Sequence, residues 1–549
     1  MEALSPGATP AVEAVTANPN LAARLAERAV RHPDRLAIAE WRGRRVRRRT
    51  FAELARSVAG VAAELAARGL RPGDRVLVFV PMSLDLYILL LAIHHAGACA
   101  VFVDAWADRN RLDAAVRAAR PAMFAGSARA QLLRITSAQV RAIPHVLLVG
   151  GAFPVERLAR ASASEPAVVR ADDAALVTFT TGSTGVPKAA ARSHGFLWAQ
   201  HLALARHLGL CEQDVDLPSL PVFVLNNLAA GVPSVLPDFD PRAPSRIDPA
   251  RIIRQMEREG VTTTSGSPAL FERLAQWCCA RGRRIPVRAL FTGGAPVLPP
   301  LARLLAATVV GEAYIVYGST EAEPIAGIEA RAMLAAMADE GGAGLCVGAP
   351  VPEIALRLVH AHDGQIVLDE RGWEPWDVGD TQHAGDGGAC GVGEIVVAGP
   401  HVLGGYLGDP EGDRANKIID GAQRWHRTGD AAWRDAGGRL WLMGRVKRRV
   451  RRAGRTWWGL PAELRALEVP GVRHAAYLGA PDPALGERAV LCVESDEAPE
   501  VVAPELRSAL AEIPLDELHV LALIPRDPRH RSKTDWESLE RLLAGRRPQ

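Results

Sequence analysis

One stretch limits the possible folds of this chain more than any other. Ala174-Ala-Leu-Val-Thr-Phe179 is short, apolar and β-prone, the pattern of a buried strand. Directly behind it, Thr180-Thr181-Gly182-Ser183-Thr184-Gly185 packs two glycines and four hydroxyls into six residues, and Val186, Pro187 and Lys188 follow. Glycine lets the backbone turn tightly and approach a ligand. Successive N–H groups in such a turn form an anion-binding nest, and hydroxyls and a lysine add donors and positive charge. A strand that delivers this loop at its carboxyl end belongs in an α/β layer and suits a polyphosphate better than it suits a plain surface turn. The spacing is not that of a Walker A loop. Only two residues separate the glycines, Pro187 precedes Lys188, and Ala189 follows it.

The rest of the chain fits that class. At 549 residues it is too long for one core, and 48% hydrophobic residues suffice for several. A net charge of +3 does not point to nucleic acid or to a membrane surface. The seven scattered cysteines form no Cys-x-x-Cys pair, which suits reduced thiols in a cytoplasmic protein. The Pro/Ala-rich residues 1–20 read as a flexible tail without a secretory signal's apolar segment. Val76 to Val103 is the most apolar region. Pro81, Asp85 and His94-His95 break it into strand, helix and strand, so no membrane span is expected.

Leu36–Trp41 and Val46–Thr50 read as a hairpin, and Thr50-Phe51-Ala52-Glu53 opens a helix. Arginines 42, 44, 45, 47, 48 and 49 lack interleaved aromatics, so a solvated hairpin is expected rather than a nucleic-acid patch. Ser267-Pro268 is a helix start, a cap followed by proline. Two further strands end in tight turns, Arg288–Thr292 in Gly293-Gly294-Ala295-Pro296 and Ala313–Val316 in Tyr317-Gly318-Ser319-Thr320-Glu321. Ligands of open α/β sheets collect at such carboxyl ends. Residues 350–445 are rich in short β-like runs, and 446–549 mix helices and strands on a smaller scale.

The order of these segments resembles the AMP-forming adenylating superfamily of acyl-CoA synthetases, carrier-loading adenylation domains and luciferases. The phosphate loop is followed by Gly293–Pro296, Tyr317–Glu321, Gly404-Gly-Tyr-Leu-Gly-Asp-Pro-Glu411, Thr428-Gly-Asp430, Gly444-Arg445-Val-Lys447 and a late Lys533. One departure is Ala189, where relatives usually carry glycine. The resemblance implies a large N-terminal domain of helix-packed sheets with a small β-barrel subdomain (21–445). A small mobile α+β domain (446–549) would follow, hinged at Lys447.

It also implies residue roles. Thr180 to Gly185 with Lys188 would hold the β- and γ-phosphates of ATP. Gly293, Gly294, Ala295 and Pro296 would approach the adenine with backbone, and Tyr317, within Tyr317-Gly318-Ser319-Thr320, would stack on it. Glu321 and Thr184 would bind Mg2+. Asp430 would accept from the ribose hydroxyls beside Arg445. Lys533 would join carboxylate to α-phosphate, supplying positive charge where two anions meet. Together Lys188, Glu321, Asp430 and Lys533 argue for an enzyme over a silent nucleotide-binding paralogue acting as a partner.

Leu220-Pro-Val-Phe223, Val235-Leu-Pro-Asp-Phe-Asp-Pro-Arg-Ala-Pro244, Ser265-Gly-Ser-Pro-Ala-Leu270 and Arg529-His-Arg-Ser-Lys533 look like the β-lactone synthetases of bacterial olefin biosynthesis. Those enzymes adenylate a 3-hydroxy acid and let its own hydroxyl displace AMP, a geometry-driven second step. The Trp-rich Arg455-Thr-Trp-Trp-Gly-Leu-Pro461-Ala-Glu463 is a shifted form of the element that thiol-using relatives carry. Transfer to CoA is the alternative. The substrate is an apolar carboxylic acid, with its acyl pocket expected around Val222–Ala230 and Ser265–Leu270. Asn226-Asn227 there caps a strand or a helix, or binds a substrate hydroxyl, and His194 reads as structural.

Overall fold

A computed structural model describes residues 18–103, 108–160, 164–181, 187–239, 247–339, 344–368, 373, 391–526 and 533–544. Among these, three sheets carry the fold, and no helix is long and apolar enough to cross a membrane.

The first sheet orders His145–Leu148, Met123–Gly126, Arg75–Phe79, Cys99–Phe102, Ala174–Thr181 and Pro187–Ser193 side by side. Its strands are parallel until the last pair, an antiparallel hairpin that sets Thr180 opposite Lys188. The apolar run after Val76 divides as expected. Strand Arg75–Phe79 leads to helix Leu84–His95, buried along its whole length, and then to Cys99–Phe102. A helix apolar on every side belongs in a core. Ser83 caps it by accepting from Leu86 N at 3.2 Å.

The second sheet is larger. Parallel strands Ser234–Leu236, Asp216–Pro218, Thr263–Gly266, Ala289–Gly293 and Glu312–Ser319 form its centre. Antiparallel strands from Ala322–Glu329 through Leu345–Pro350 to Leu440–Arg445, Gln423–Arg434, Gly393–Ala398 and Ala355–Val359 extend one side. The β-rich part expected over 350–445 is this antiparallel layer. The hairpin Leu36–Arg42/Arg45–Thr50 closes the other side, and Thr50 and Glu53 form a reciprocal capping box on helix Phe51–Ala67.

The hairpin arginines are not simply solvated. Arg47 contacts Asp85, Glu40 and Glu156, Arg49 contacts Glu156 and Arg48 contacts Glu259. The charge is therefore neutralised locally. Glu40 faces Arg47 within the hairpin itself, whereas Asp85, Glu156 and Glu259 come from distant segments that hairpin spacing alone could not reveal.

The third sheet is built from Val450–Arg452, Arg455–Trp457, Val472–Asp482, Gly486–Ser495 and Glu517–Leu521. It is joined to the second by the short turn Val446–Arg448. Val446, Trp458 and Leu464 are buried in the same apolar cluster as Trp433, Trp441 and Leu442 of the large sheet. Asp363, beyond the edge strand Ala355–Val359, pairs with Arg449 and Arg451 across the same seam.

Candidate nucleotide and acid site

The site forms where the first two sheets meet. Residues 402–407 bridge them: Val402 pairs with Ala322 and Tyr406 with Ala190, and Leu407 N donates to Ala189 O at 2.8 Å. Lys188 stands one pair from the loop end of its hairpin, close enough to Glu321 for their charges to act on each other. Gly182, Ser183, Thr184 and Gly185 lie outside the described residues; Thr180 and Thr181 close the strand before them.

The two strand ends read from sequence stand next to one another. Parallel register puts Gly293 beside Val316, one residue before Tyr317. A Cβ at Gly293 would lie 2.5 Å from Val316 O, so the close approach of the two strands requires glycine. Gly294, with φ +82°, and Pro296 are exposed, and Ala295 is half-buried between them. Gly318, Ser319, Thr320 and Glu321 form a half-buried ledge. Its backbone is held by Ser319 Oγ, which accepts from Glu321 N at 3.3 Å, and by Arg192, which donates to Thr320 O at 2.8 Å.

Tyr317, Asp430 and Arg445 converge. The Tyr317 hydroxyl donates to Asp430 Oδ2 at 2.8 Å, and Arg445 Nε lies 3.1 Å from Oδ1. Arg445 also donates to Thr428 O at 3.0 Å. The cross-strand register pairs Asp430 with Arg445 directly. Burial, with the Asp430 charge adding, raises the Tyr317 phenol well above its usual range, so it remains a donor. Asp430 raises the Arg445 pKa and keeps it a fixed cation.

Around the phosphate-loop lysine the charges alternate. Burial lowers the Lys188 pKa; Asp409, Glu321 and Asp413 oppose that, and Lys447 adds to it. Lys447, read as the hinge, therefore lies close enough to Lys188 for their charges to act on each other. Lys533 precedes helix Trp536–Leu543, in the third sheet's layer. Its neighbours Thr534 and Asp535 bond to His474 Nε2 at 3.2 Å and Pro525 O at 2.9 Å.

A metal's fit can be judged from the donors. No group of three or more His, Cys, Asp or Glu residues could hold a metal among the described residues. Among the described residues the Glu321 carboxylate accepts one hydrogen bond, from Tyr406 at 2.9 Å, which leaves lone pairs for other ligands. One carboxylate beside a phosphate site suits a Mg2+ that takes its remaining ligands from phosphate and water.

Asn226 and Asn227 are not caps. Both are buried inside helix Pro221–Ala230. Asn227 donates to Asp216 Oδ2 at 2.8 Å and to Ser234 Oγ at 3.1 Å, and Asn226 Oδ1 meets His201 Nδ1 at 2.9 Å. Asn227 ties the helix to the large sheet and Asn226 ties it to helix His194–Leu208; Ser265, 3.3 Å from Asp216, belongs to the Asn227 network. Partners seven to forty-nine positions away in sequence explain why spacing did not show this. The cavity bordered by Leu197, Gln200, Val222, Leu225 and Asn226 measures about 10 Å³. That is space for one water rather than an acyl chain. Leu204, Phe223, Phe291 and Val316 belong to one buried apolar cluster, with Leu220 and Val222 half-buried against it.

His194 is structural, as expected. It is fully buried and its ring lies 5.4 Å from that of His94. Sequence reading passed over Lys417, His426 and Arg192. The one signal for Lys417 was a lysine opening the β-prone run Lys417-Ile-Ile-Asp420.

Comparison with known proteins agrees with this geometry. The family model described as AMP-binding enzyme matches residues 25–407. Olefin beta-lactone synthetase of Xanthomonas campestris pv. campestris is 34% identical, over 95% of this chain and 96% of that protein. Feruloyl-CoA synthase of an Amycolatopsis species is 30% identical over 80% of this chain and 82% of its own. The crystal structure of ATP-bound MatB from Rhodopseudomonas palustris superposes with a TM-score of 0.78 at 23% identity, covering 96% of this chain and 99% of that one. The chain belongs to the AMP-binding enzyme family, whose members are ATP-using adenylating ligases of small-molecule acids.

Proposed function

We propose that the protein adenylates a long-chain 3-hydroxy carboxylic acid and closes it to a β-lactone. In the first half-reaction a carboxylate oxygen attacks the α-phosphate of ATP, and pyrophosphate leaves. In the second the 3-hydroxyl oxygen bonds to the acyl carbon. The bond from that carbon to the phosphate oxygen breaks, AMP departs with the electron pair, and the hydroxyl gives up its proton. Holding an internal nucleophile against an activated acyl group removes the need for a second substrate.

The residues divide accordingly. Lys188, with the loop from Thr180 to Gly185, holds the polyphosphate. Gly293 to Pro296 and Tyr317 to Thr320 border the adenine. Asp430, beside Arg445, takes the ribose hydroxyls. Lys533 brings positive charge to the carboxylate and α-phosphate, and Lys447 is the hinge on which 446–549 turn against 21–445. Glu321, with Thr184, would hold Mg2+, which when bound neutralises phosphate charge.

The observation that carries the β-lactone reading is the end-to-end similarity to an olefin beta-lactone synthetase. The second reading, transfer to CoA, draws on the similarity to feruloyl-CoA synthase. One experiment separates them. The protein is incubated with ATP, Mg2+ and a racemic 2-alkyl-3-hydroxy acid, with and without CoA, and the products are identified by NMR. A β-lactone and AMP without CoA are expected. Acyl-CoA formed only when CoA is present would establish the ligase reading instead.

A further inference from the structure

Lys417 is the least expected charge in the molecule. It opens strand Lys417–Asp420 and is only 5% exposed. Each of its directions is taken. Its ammonium donates to Leu403 O, lies 3.3 Å from His426 Nδ1 and stands 5.3 Å from the centre of the Tyr406 ring. His426 is buried and held neutral, chiefly by desolvation, so its ring nitrogen can accept.

The Tyr406 ring is shared. Lys188 Nζ also lies 5.3 Å from its centre. The hydroxyl of the same ring donates to Glu321 Oε1 at 2.9 Å, and its backbone N–H donates to Asp413 Oδ1 at 2.7 Å. Leu403, whose carbonyl Lys417 takes, donates its own N–H to Glu321 O at 2.7 Å. Lys417 is thus linked to Glu321 twice, through the Tyr406 side chain and through the Leu403 backbone. It is linked to Lys188 through the ring face. Cation–ring attraction is strongest where water is excluded, as it is here.

We propose that Lys417 is a positioning residue for the polyphosphate end of the site: through Tyr406 and Leu403 it fixes Lys188 and Glu321 relative to each other. It does not touch substrate. The groups facing it are Glu321 and Asp413, which favour its charge, and Lys188 and Arg424, which oppose it. Burial pushes its pKa down to about 8, so the fold spends free energy to keep an ammonium there. A plain packing role would be served by an apolar side chain.

The proposal rests on Lys188 holding the polyphosphate. It predicts selectivity for ATP over AMP, because AMP lacks the phosphates that Lys188 would meet. Binding of α,β-methylene-ATP and of AMP is measured by calorimetry, with Mg2+ present, for the whole protein and for K417M, K417Q, Y406F and K188M. K417M and K417Q should weaken the ATP analogue about tenfold and leave AMP within about twofold. K417Q keeps a donor for Leu403 O, so it provides the test if K417M does not fold. Adding K417M to Y406F should cost less than the two single losses combined, since both act through one ring. Equal weakening of ATP and AMP, or unchanged ATP binding, in both Lys417 variants overturns the proposal. If K188M itself binds the analogue normally, the polyphosphate placement fails. If K188M loses it and the Lys417 variants do not, only the positioning role fails.

Discussion

Acid should unfold this protein through its buried histidines. His94, His194 and His201 lie beneath or within helices Leu84–His95 and His194–Leu208, all nearly inaccessible. Desolvation lowers the His94 pKa to about 3, with the His194 charge adding, and brings His194 and His201 to about 4. In the unfolded chain each titrates near 6.5. A depressed folded pKa means that the unfolded state takes up protons first as pH falls. The stabilisation is complete above about pH 7 and is lost progressively below 6.5. At pH 5 each histidine costs about 2 kcal/mol, because one pKa unit is worth about 1.4 kcal/mol. That figure depends on the unfolded value alone once the folded pKa is well below 5.

Three sites therefore give about 6 kcal/mol, a large share of the stability of an ordinary domain. His95, His207, His401 and His426 are shifted in the same direction. Ordinary carboxylates titrate near 4; Glu463, which burial raises to about 7, takes up its proton in the folded state within the window from pH 7.5 to 5 and offsets part of the histidine effect. Urea unfolding at 25 °C, followed by tryptophan fluorescence across that window, should show the midpoint falling steeply. The double variant H194N/H201N should flatten the slope while lowering stability at pH 7.5. A midpoint independent of pH between 7.5 and 5 would refute the reasoning.

Other substitutions test the site and its scaffold. Arg427 and Glu394 form a buried pair at 2.6 Å just before Thr428-Gly429-Asp430. Arg427→Leu strands the Glu394 charge and should cost about 3–5 kcal/mol, measured as a lower thermal midpoint, while Glu394→Gln should cost less. Gly293→Ala must push apart strands whose gap leaves a Cβ 2.5 Å from Val316 O; about 1–3 kcal/mol of destabilisation is expected, with a raised KM for ATP. Asp430→Asn keeps the shape but leaves Arg445 without its carboxylate, and ATP-dependent pyrophosphate release should drop at least about tenfold, the size of one lost charged hydrogen bond.

Much of the site was legible in local sequence because its chemistry is local. Strands ending in Gly293-Gly294 and Tyr317–Glu321 state their own geometry. So do the helix starts at Thr50 and Ser267, whose hydroxyls reach three residues along the chain. The convergence of Tyr317 with Asp430 was not legible, because the contact spans 113 residues and depends on the register of the large sheet. The asparagines in helix Pro221–Ala230 were misread for the same reason: the partners of Asn227 are on other strands and that of Asn226 is on helix His194–Leu208.

The sequence by itself determined the layered α/β class and membership in an adenylating family, since each follows from short-range pattern or from motif order. Tertiary structure decided what surrounds those motifs. It paired Arg47, Arg48 and Arg49 with Asp85, Glu156 and Glu259 from distant segments and buried histidines that read as polar. It also brought a lysine from strand Lys417–Asp420 against the tyrosine that Lys188 shares. Desolvation and charge pairing depend on what lies across space, and a one-dimensional pattern carries no record of that until the sheets are assembled.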